Sequence, residues 1–244
     1  MEKLMYVLWF PEDLGPQALG EKLRLEVAPR LLDLKVLGLT MDIDDEWADV
    51  KPPVPAPVGE VLPRAIVSVW VKAYDWRAPL EAVLAEYSER LLCYEVVESL
   101  YSDYGDSPWA EVRNWDDGER SPGILTVALF PQKRGTVFEE WLRFWHDHQS
   151  PMSEAIQPRC RYVRNAVFQS LTEGAPAWRA IVEEAWPSKE AVQDPMQFFC
   201  ADGDADLLTA NVTTMLEHGD KLFDMEDLRS LTLSEWIMKT PGRS

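Results

Sequence analysis

The chain predicts an α+β fold made of two tandem β-α-β-β-α-β units, and three observations predict it. Runs of β-branched and aromatic residues alternate with stretches of helical periodicity, in the same order in both halves. Four short segments of the first half recur collinearly in the second. A polar stretch containing Pro108, Gly118, Pro122 and Gly123 separates the halves. At 244 residues, 46% hydrophobic and with 11 Trp, the chain can bury a sizeable core.

In the first half, Leu4–Phe10 and Val36–Ile43 read as strands around a helix over Gln17–Leu34. A strand over Ala65–Ala73, a helix over Leu80–Leu92 and a strand over Tyr94–Tyr101 follow. In the second, strands are expected at Ile124–Phe130, Arg161–Gln169, Trp178–Ala185 and Leu231–Met238. A helix is expected over Val137–His148, and an irregular helical region from Lys189 to about Phe223. The recurring segments are Tyr6–Pro11 with Thr126–Pro131, Leu23–Pro29 with Trp145–Pro151, Arg64–Val67 with Arg179–Val182, and Glu81–Val83 with Glu190–Val192.

This order is the ferredoxin-like one: a four-stranded antiparallel sheet with both helices on one face. It leaves the other sheet face bare, and two copies can bury those faces against each other. The expected division is residues 1–105, a linker at 106–121, and residues 122–244. Lys51–Val61, with four prolines, reads as a loop.

A formal charge of −18 argues against nucleic acid or an anionic membrane surface as partner. Cys93, Cys160 and Cys200 are odd in number and form no CxxC pair, so neither a disulfide framework nor a zinc site is expected. Met1–Phe10 lacks the form of a signal peptide, and no apolar stretch nears the roughly 20 residues that span a bilayer. The expectation is a soluble cytoplasmic protein, monomer or homodimer, whose partner is a small-molecule substrate.

Phe138, Trp141, Leu142 and Trp145 line one face of a helix, with His148 next in the series. Glu139, Arg143 and His146 fall opposite. His146 and His148 stand about 200° apart on an α-helix and cannot chelate one metal there. An inward His148 suits general acid/base work, or it caps the helix end. In the first half the stripe runs Leu19, Leu23, Glu26, Pro29, so Glu26 takes the place of His148 and faces the same cavity or solvent. In the next strand Tyr162 and Arg164 share one face, and Arg161, Val163 and Asn165 the other. These side chains hold a substrate oxygen that gains charge, or Arg164 and Asn165 pair with carboxylates such as Glu183 or Glu235.

The aromatic-faced helix ending in His148 and Pro151, followed by Arg161-Tyr162-Val163-Arg164-Asn165, resembles the EthD family of the dimeric α/β-barrel superfamily. Trp178–Trp186 and Asp227–Trp236 resemble that family's third and last strands. The likeness is good over residues 122–240 and faint over 1–105. His148-Gln149-Ser150-Pro151 is one residue longer than the family's His-x-Pro spacing. The resemblance implies two units closing a barrel within one chain. It also implies metal- and cofactor-free chemistry on small aromatic or polyketide-like compounds, with His148 and Tyr162 as the matching site residues. Haem held by His148 or His218 is the one cofactor alternative.

There is no Walker loop, GxGxxG or GxSxG. Asp202–Asp206 lacks the glycine and glutamate of a calcium loop and reads as a solvated loop opening the last helix. The sequence therefore leads to a cofactor-independent enzyme of lyase, dehydratase or isomerase type, acting on a small apolar, aromatic or hydroxylated compound in a catabolic or secondary-metabolic pathway. His148 is its acid/base, Tyr162 with Arg164 or Asn165 its oxygen holders, and Trp141, Trp145 and Trp186 its walls. The alternative is a non-catalytic accessory or binding protein of an ether-degrading oxygenase system.

Overall fold

Strand pairing in the computed structural model, which describes residues 1–242, runs without a free edge. The last two residues of the expected second unit lie outside the described residues. The strands are β1 (Glu2–Trp9), β2 (Gly38–Ile43), β3 (Ala65–Val71), β4 (Arg90–Ser102), β5 (Ile124–Phe130), β6 (Arg161–Ser170), β7 (Ala180–Trp186) and β8 (Arg229–Lys239). They close a barrel in the order β1-β3-β2-β8-β5-β7-β6-β4, every pair antiparallel. The order within the first half is β4-β1-β3-β2 and within the second β8-β5-β7-β6. The halves join at two seams, β2·β8 and β4·β6.

Two sequence expectations are corrected. The helix expected over Leu80–Leu92 is α3 (Ala78–Ala85), and Arg90, Leu91 and Leu92 belong to β4, where they pair with Trp9, Leu8 and Val7. Ladder pairing overrides their helical spacing. The likeness of Tyr6–Pro11 to Thr126–Pro131 is out of step with the structure. Arg64 N–H donates to the Leu8 carbonyl, and Arg179 N–H to the Phe130 carbonyl. Leu8 therefore matches Phe130, two positions from where the sequence likeness places it.

Helices cover the outer faces. On the first half, α1 (Pro16–Lys22) and α2 (Ala28–Asp33) flank a π-helical turn at Leu23–Val27. On the second, α4 (Phe138–Phe144) and α5 (Ser150–Ile156) flank another at Trp145–Gln149. In each the residue before a proline bonds five residues back, Ala28 to Leu23 and Ser150 to Trp145. Pro29 and Pro151 have no N–H to give, and in an α-helix their rings would strike the carbonyl four residues earlier; the wider turn relieves both problems. The second half adds α6 (Glu190–Gln193), α7 (Pro195–Phe198) and α8 (Ala205–Leu222), with Asp204 capping α8 through Asp206 and Leu207 N–H. Among the described residues no helix is long and apolar enough to cross a membrane.

Alternation turns Met5, Val7, Ile66, Leu125, Val127, Leu231 and Leu233 into the barrel. Charge goes in with them. Lys3 Nζ donates to Glu98 (2.6 Å), Asn165 (2.9 Å) and Glu183 (3.2 Å), and Arg161 pairs with Glu235 at 2.7 Å. Residues 103–123, which span the expected linker at 106–121, pack against β8. Gly118 and Ser121 N–H bond the Ile237 and Glu235 carbonyls, and the Tyr104 hydroxyl reaches Glu235 at 3.0 Å.

Asp42 stands directly opposite Glu235 across the β2·β8 seam, fully buried, with neither carboxylate oxygen bonded among the described residues. Burial, then Glu183 and Glu235, push its carboxyl well above the ordinary 3.8, against the weaker pull of Lys3 and Arg161. A carboxyl with a raised folded pKa contributes stability that is full below its unfolded value and lost as pH rises toward the folded one. Asp42→Asn is therefore expected to be more stable than wild type at neutral pH. In urea unfolding, the difference should grow by about 1.4 kcal/mol per pH unit above pH 4 until Asp42 ionises. A pH-independent difference would contradict this.

Candidate active site

Outside the second half's sheet, α7, α8 and the sheet enclose a cavity of about 1070 Å³. Its walls are aromatic and aliphatic, with Phe130, Trp145, Phe198, Met215, Leu222 and Phe223 among them. The first half supplies the roof. Residues 49–55, from the proline-rich loop after β2, line that side of the cavity; Val54 packs with the Phe130–Trp145 cluster and Val50 with the Trp186 cluster. The loop is pinned at its root, where Asp45 accepts from Ser234 Oγ (2.7 Å) and Trp236 Nε1 (2.9 Å), and further on by Glu60 on Arg229 at 2.7 Å.

The floor carries polar groups in one row across three strands. Tyr162 on β6, Glu184 on β7 and Thr126 on β5 are ladder partners and all face the cavity. Trp145 Nε1–H donates to the Tyr162 hydroxyl at 3.0 Å, which leaves the phenol's own proton to be given. Burial raises the Tyr162 pKa, while the Arg159 guanidinium pulls it down. Burial also raises Glu184, against Arg159 at 3.1 Å and the Thr126 hydroxyl. The part of the Glu184 side chain that remains accessible, 21 %, borders the cavity. A carboxylate whose pKa burial raises is a stronger base than an exposed one, and a phenol beside it donates to an oxygen gaining charge.

The same row on the first half is closed. Leu4, Leu39 and Val69 occupy the ladder positions of Thr126, Tyr162 and Glu184, and Tyr6 that of Ala128, all fully buried. Glu26, for which cavity and solvent were both open, is exposed on its π turn.

Of the residues expected from the sequence, the structure brings Trp145 and Tyr162 to the cavity. Trp141 lies behind, 5.5 Å from Trp145 and bonded to the Leu222 carbonyl. Trp186 backs the floor, donating to Thr126 Oγ1 at 2.8 Å and stacking on Phe198. The remaining three go elsewhere. Asn165 points into the barrel, bonded to Glu183 and Lys3. Arg164 clamps the π turn to the sheet through Ser150 Oγ (3.0 Å) and Ser99 Oγ (2.9 Å). His148 is exposed, stacked on Phe144. The π turn holds one residue more than an α turn, so the inward face after Trp145 passes to Gln149 and Ser150, and half-buried His146 is closer to the core than His148. The two histidines on which haem ligation would depend, His148 and His218, both lie against Phe144 and outside the cavity, so haem held by either does not fit.

Sequence reasoning passed over Glu184, Thr126, Gln149 and Gln157, all on the cavity. The signal for Glu184 was present. In a strand of alternating faces, the adjacent carboxylates Glu183 and Glu184 must point to opposite sides.

No family model matches the chain, and no curated protein matches it. Solved structures do match. One is called an anthrone oxidase-like protein; at 10% identity and a TM-score of 0.51, the match covers 100% of this chain and 96% of that one. Another, from Fusobacterium nucleatum, is called a "putative monooxygenase"; at 10% identity and a TM-score of 0.50, it covers 98% of this chain and 92% of that one. These likenesses show the fold alone, an eight-stranded closed antiparallel barrel with helices outside it. They also correct the chemistry expected from the sequence. The matched proteins are named for oxidation rather than for elimination or isomerisation, and His148, on which the acid/base expectation was built, stands outside the cavity.

His148→Ala is expected to change stability by no more than about 0.5 kcal/mol, as at other exposed positions. Tyr162→Phe strands the buried Trp145 N–H and should cost about 1–3 kcal/mol. Chemical denaturation of both variants checks the contrast, and the opposite ranking would contradict this placement.

Proposed function

We propose that this chain is an oxygen-consuming enzyme that oxidises a polycyclic, hydroxylated aromatic compound in the cavity on its second half. The observation that carries the reading is the Glu184–Tyr162 pair at the floor of a large aromatic-walled cavity. The names of the matched proteins, an anthrone oxidase-like protein among them, support oxidation as the reaction class. In this reading the chain is a tandem pair of ferredoxin-like units, 1–105 and an EthD-like 122–244, of which only the second keeps a site.

An activated ring CH₂ flanked by aromatic rings and conjugated to a carbonyl loses a proton to Glu184. The negative charge moves to the carbonyl oxygen, which accepts from Tyr162, itself held by Trp145. The electron-rich carbon then binds dioxygen, the co-substrate. Loss of the second C–H proton with cleavage of the O–O bond leaves a ketone and water, so both C–H hydrogens and both oxygen atoms are accounted for. The reaction needs no resident cofactor, because the anion itself supplies the electrons. The apolar walls and the roof from residues 49–55 exclude water from the anion.

Oxygen uptake with anthrone in air-saturated buffer tests this. Wild type should consume oxygen above the uncatalysed rate, and Glu184→Gln should lower kcat by about 10²–10⁴-fold. An uptake unchanged by Glu184→Gln, or none with anthrone and its hydroxylated analogues, would overturn the proposal.

A further inference from the structure

One buried cation touches both members of that pair. Arg159 lies in the short connection between α5 and β6, only 4 % exposed, with its main chain fixed by Gln157 and Ser107. Its Nη1 meets Glu184 Oε1 at 3.1 Å. Its guanidinium carbon sits 4.0 Å over the Tyr162 ring. Its Nη2 donates to the Ser150 carbonyl at 3.3 Å, the residue where the π turn hands over to α5. A planar, permanently charged fork can stack on a ring while its edge bonds a carboxylate, which an ammonium cannot do.

We propose that Arg159 is the positioning residue of the site, holding Glu184 as proton acceptor and Tyr162 as donor side by side on the cavity floor. This rests on the reading of those two as the working pair. The cation attracts the Glu184 charge and offsets the cost of burying it, and the same cation above the phenol ring favours charge on its oxygen. Facing Glu184 from other elements are the Thr126 hydroxyl on β5 and the Tyr162 phenol on β6; Asp49 and Lys51 on the roof and Asp220 on α8 are the other charged groups on the cavity. None of these is an alternative source of the fork. Through Ser150 the fork also ties the pair to the π turn that places Trp145, so one side chain aligns base, donor and donor's donor.

The test reads titration without substrate. In ¹³C-glutamate NMR, with the signal assigned by Glu184→Gln, Arg159→Met should raise the Glu184 midpoint by about one to three pH units. Arg159→Lys, which keeps the charge and loses the stack, should leave that midpoint within about one unit of wild type. It should also raise the ultraviolet titration midpoint assigned to Tyr162 by difference against Tyr162→Phe. If Arg159→Met fails to fold, the lysine variant alone decides: an unmoved Tyr162 midpoint overturns the proposal. In a folded Arg159→Met, an unmoved Glu184 midpoint does the same. Because no substrate enters, moved midpoints without anthrone oxidation would sink the oxidation and keep Arg159, and oxidation with unmoved midpoints would do the reverse.

Discussion

Closure of the sheet at β2·β8 and β4·β6 decides what each strand residue faces, and the rest of the molecule follows from it. With no free edge, alternate residues are committed to a barrel interior that must be filled by side chains, and the others to an outer surface that helices must cover. The interior accepts this at a cost. Lys3, Glu183 and Glu235 are buried there, with Asn165 as a bridge and the partly buried Arg161 on Glu235. Such a network is tolerable because its members are paired; Asp42, a buried carboxyl with neither oxygen bonded among the described residues, is pushed toward its neutral form instead.

On the outer surface the two halves diverge through a few side chains. Leu4, Leu39 and Val69 on one sheet, with Tyr6 filling the space above, let α1 and α2 pack down completely. Thr126, Tyr162 and Glu184 on the other, with Ala128 in the position of Tyr6, leave room and polarity together. The additional chain of α7 and α8 then walls the space instead of filling it. The roof comes from the first half because β2 lies beside β8 at a seam, so the loop leaving β2 runs directly onto the second half's cavity. The closed barrel thus builds the cavity from both halves, though Glu184 and Tyr162 both stand on the second.

Period-2 alternation was readable, and it separated Tyr162 from Asn165 correctly without the structure. Local spacing failed where the helix changed its pitch. From Phe138 to Trp145 an α-helical stripe is right; beyond Trp145 the π turn moves His148 outward, and the only trace in the sequence is Pro151 itself. Pro29 leaves the same trace in the first half, so the pair of prolines was the better clue than the histidine. Glu184 was legible in principle from its place beside Glu183. The cavity was not, since it depends on α8 and the proline loop meeting across a seam that no local pattern announces. The Tyr6–Pro11 likeness shows the converse hazard: a short match that looked like homology in register was two residues out of it.

A crystal structure of the chain grown with anthraquinone, the product expected from anthrone, tests the central claim most directly. The expected result is the ring system between Phe130, Leu222 and Val54, with a carbonyl oxygen within hydrogen-bond distance of the Tyr162 hydroxyl. An empty cavity at saturating ligand, or the rings seated on the Phe144–His148 surface, would contradict it.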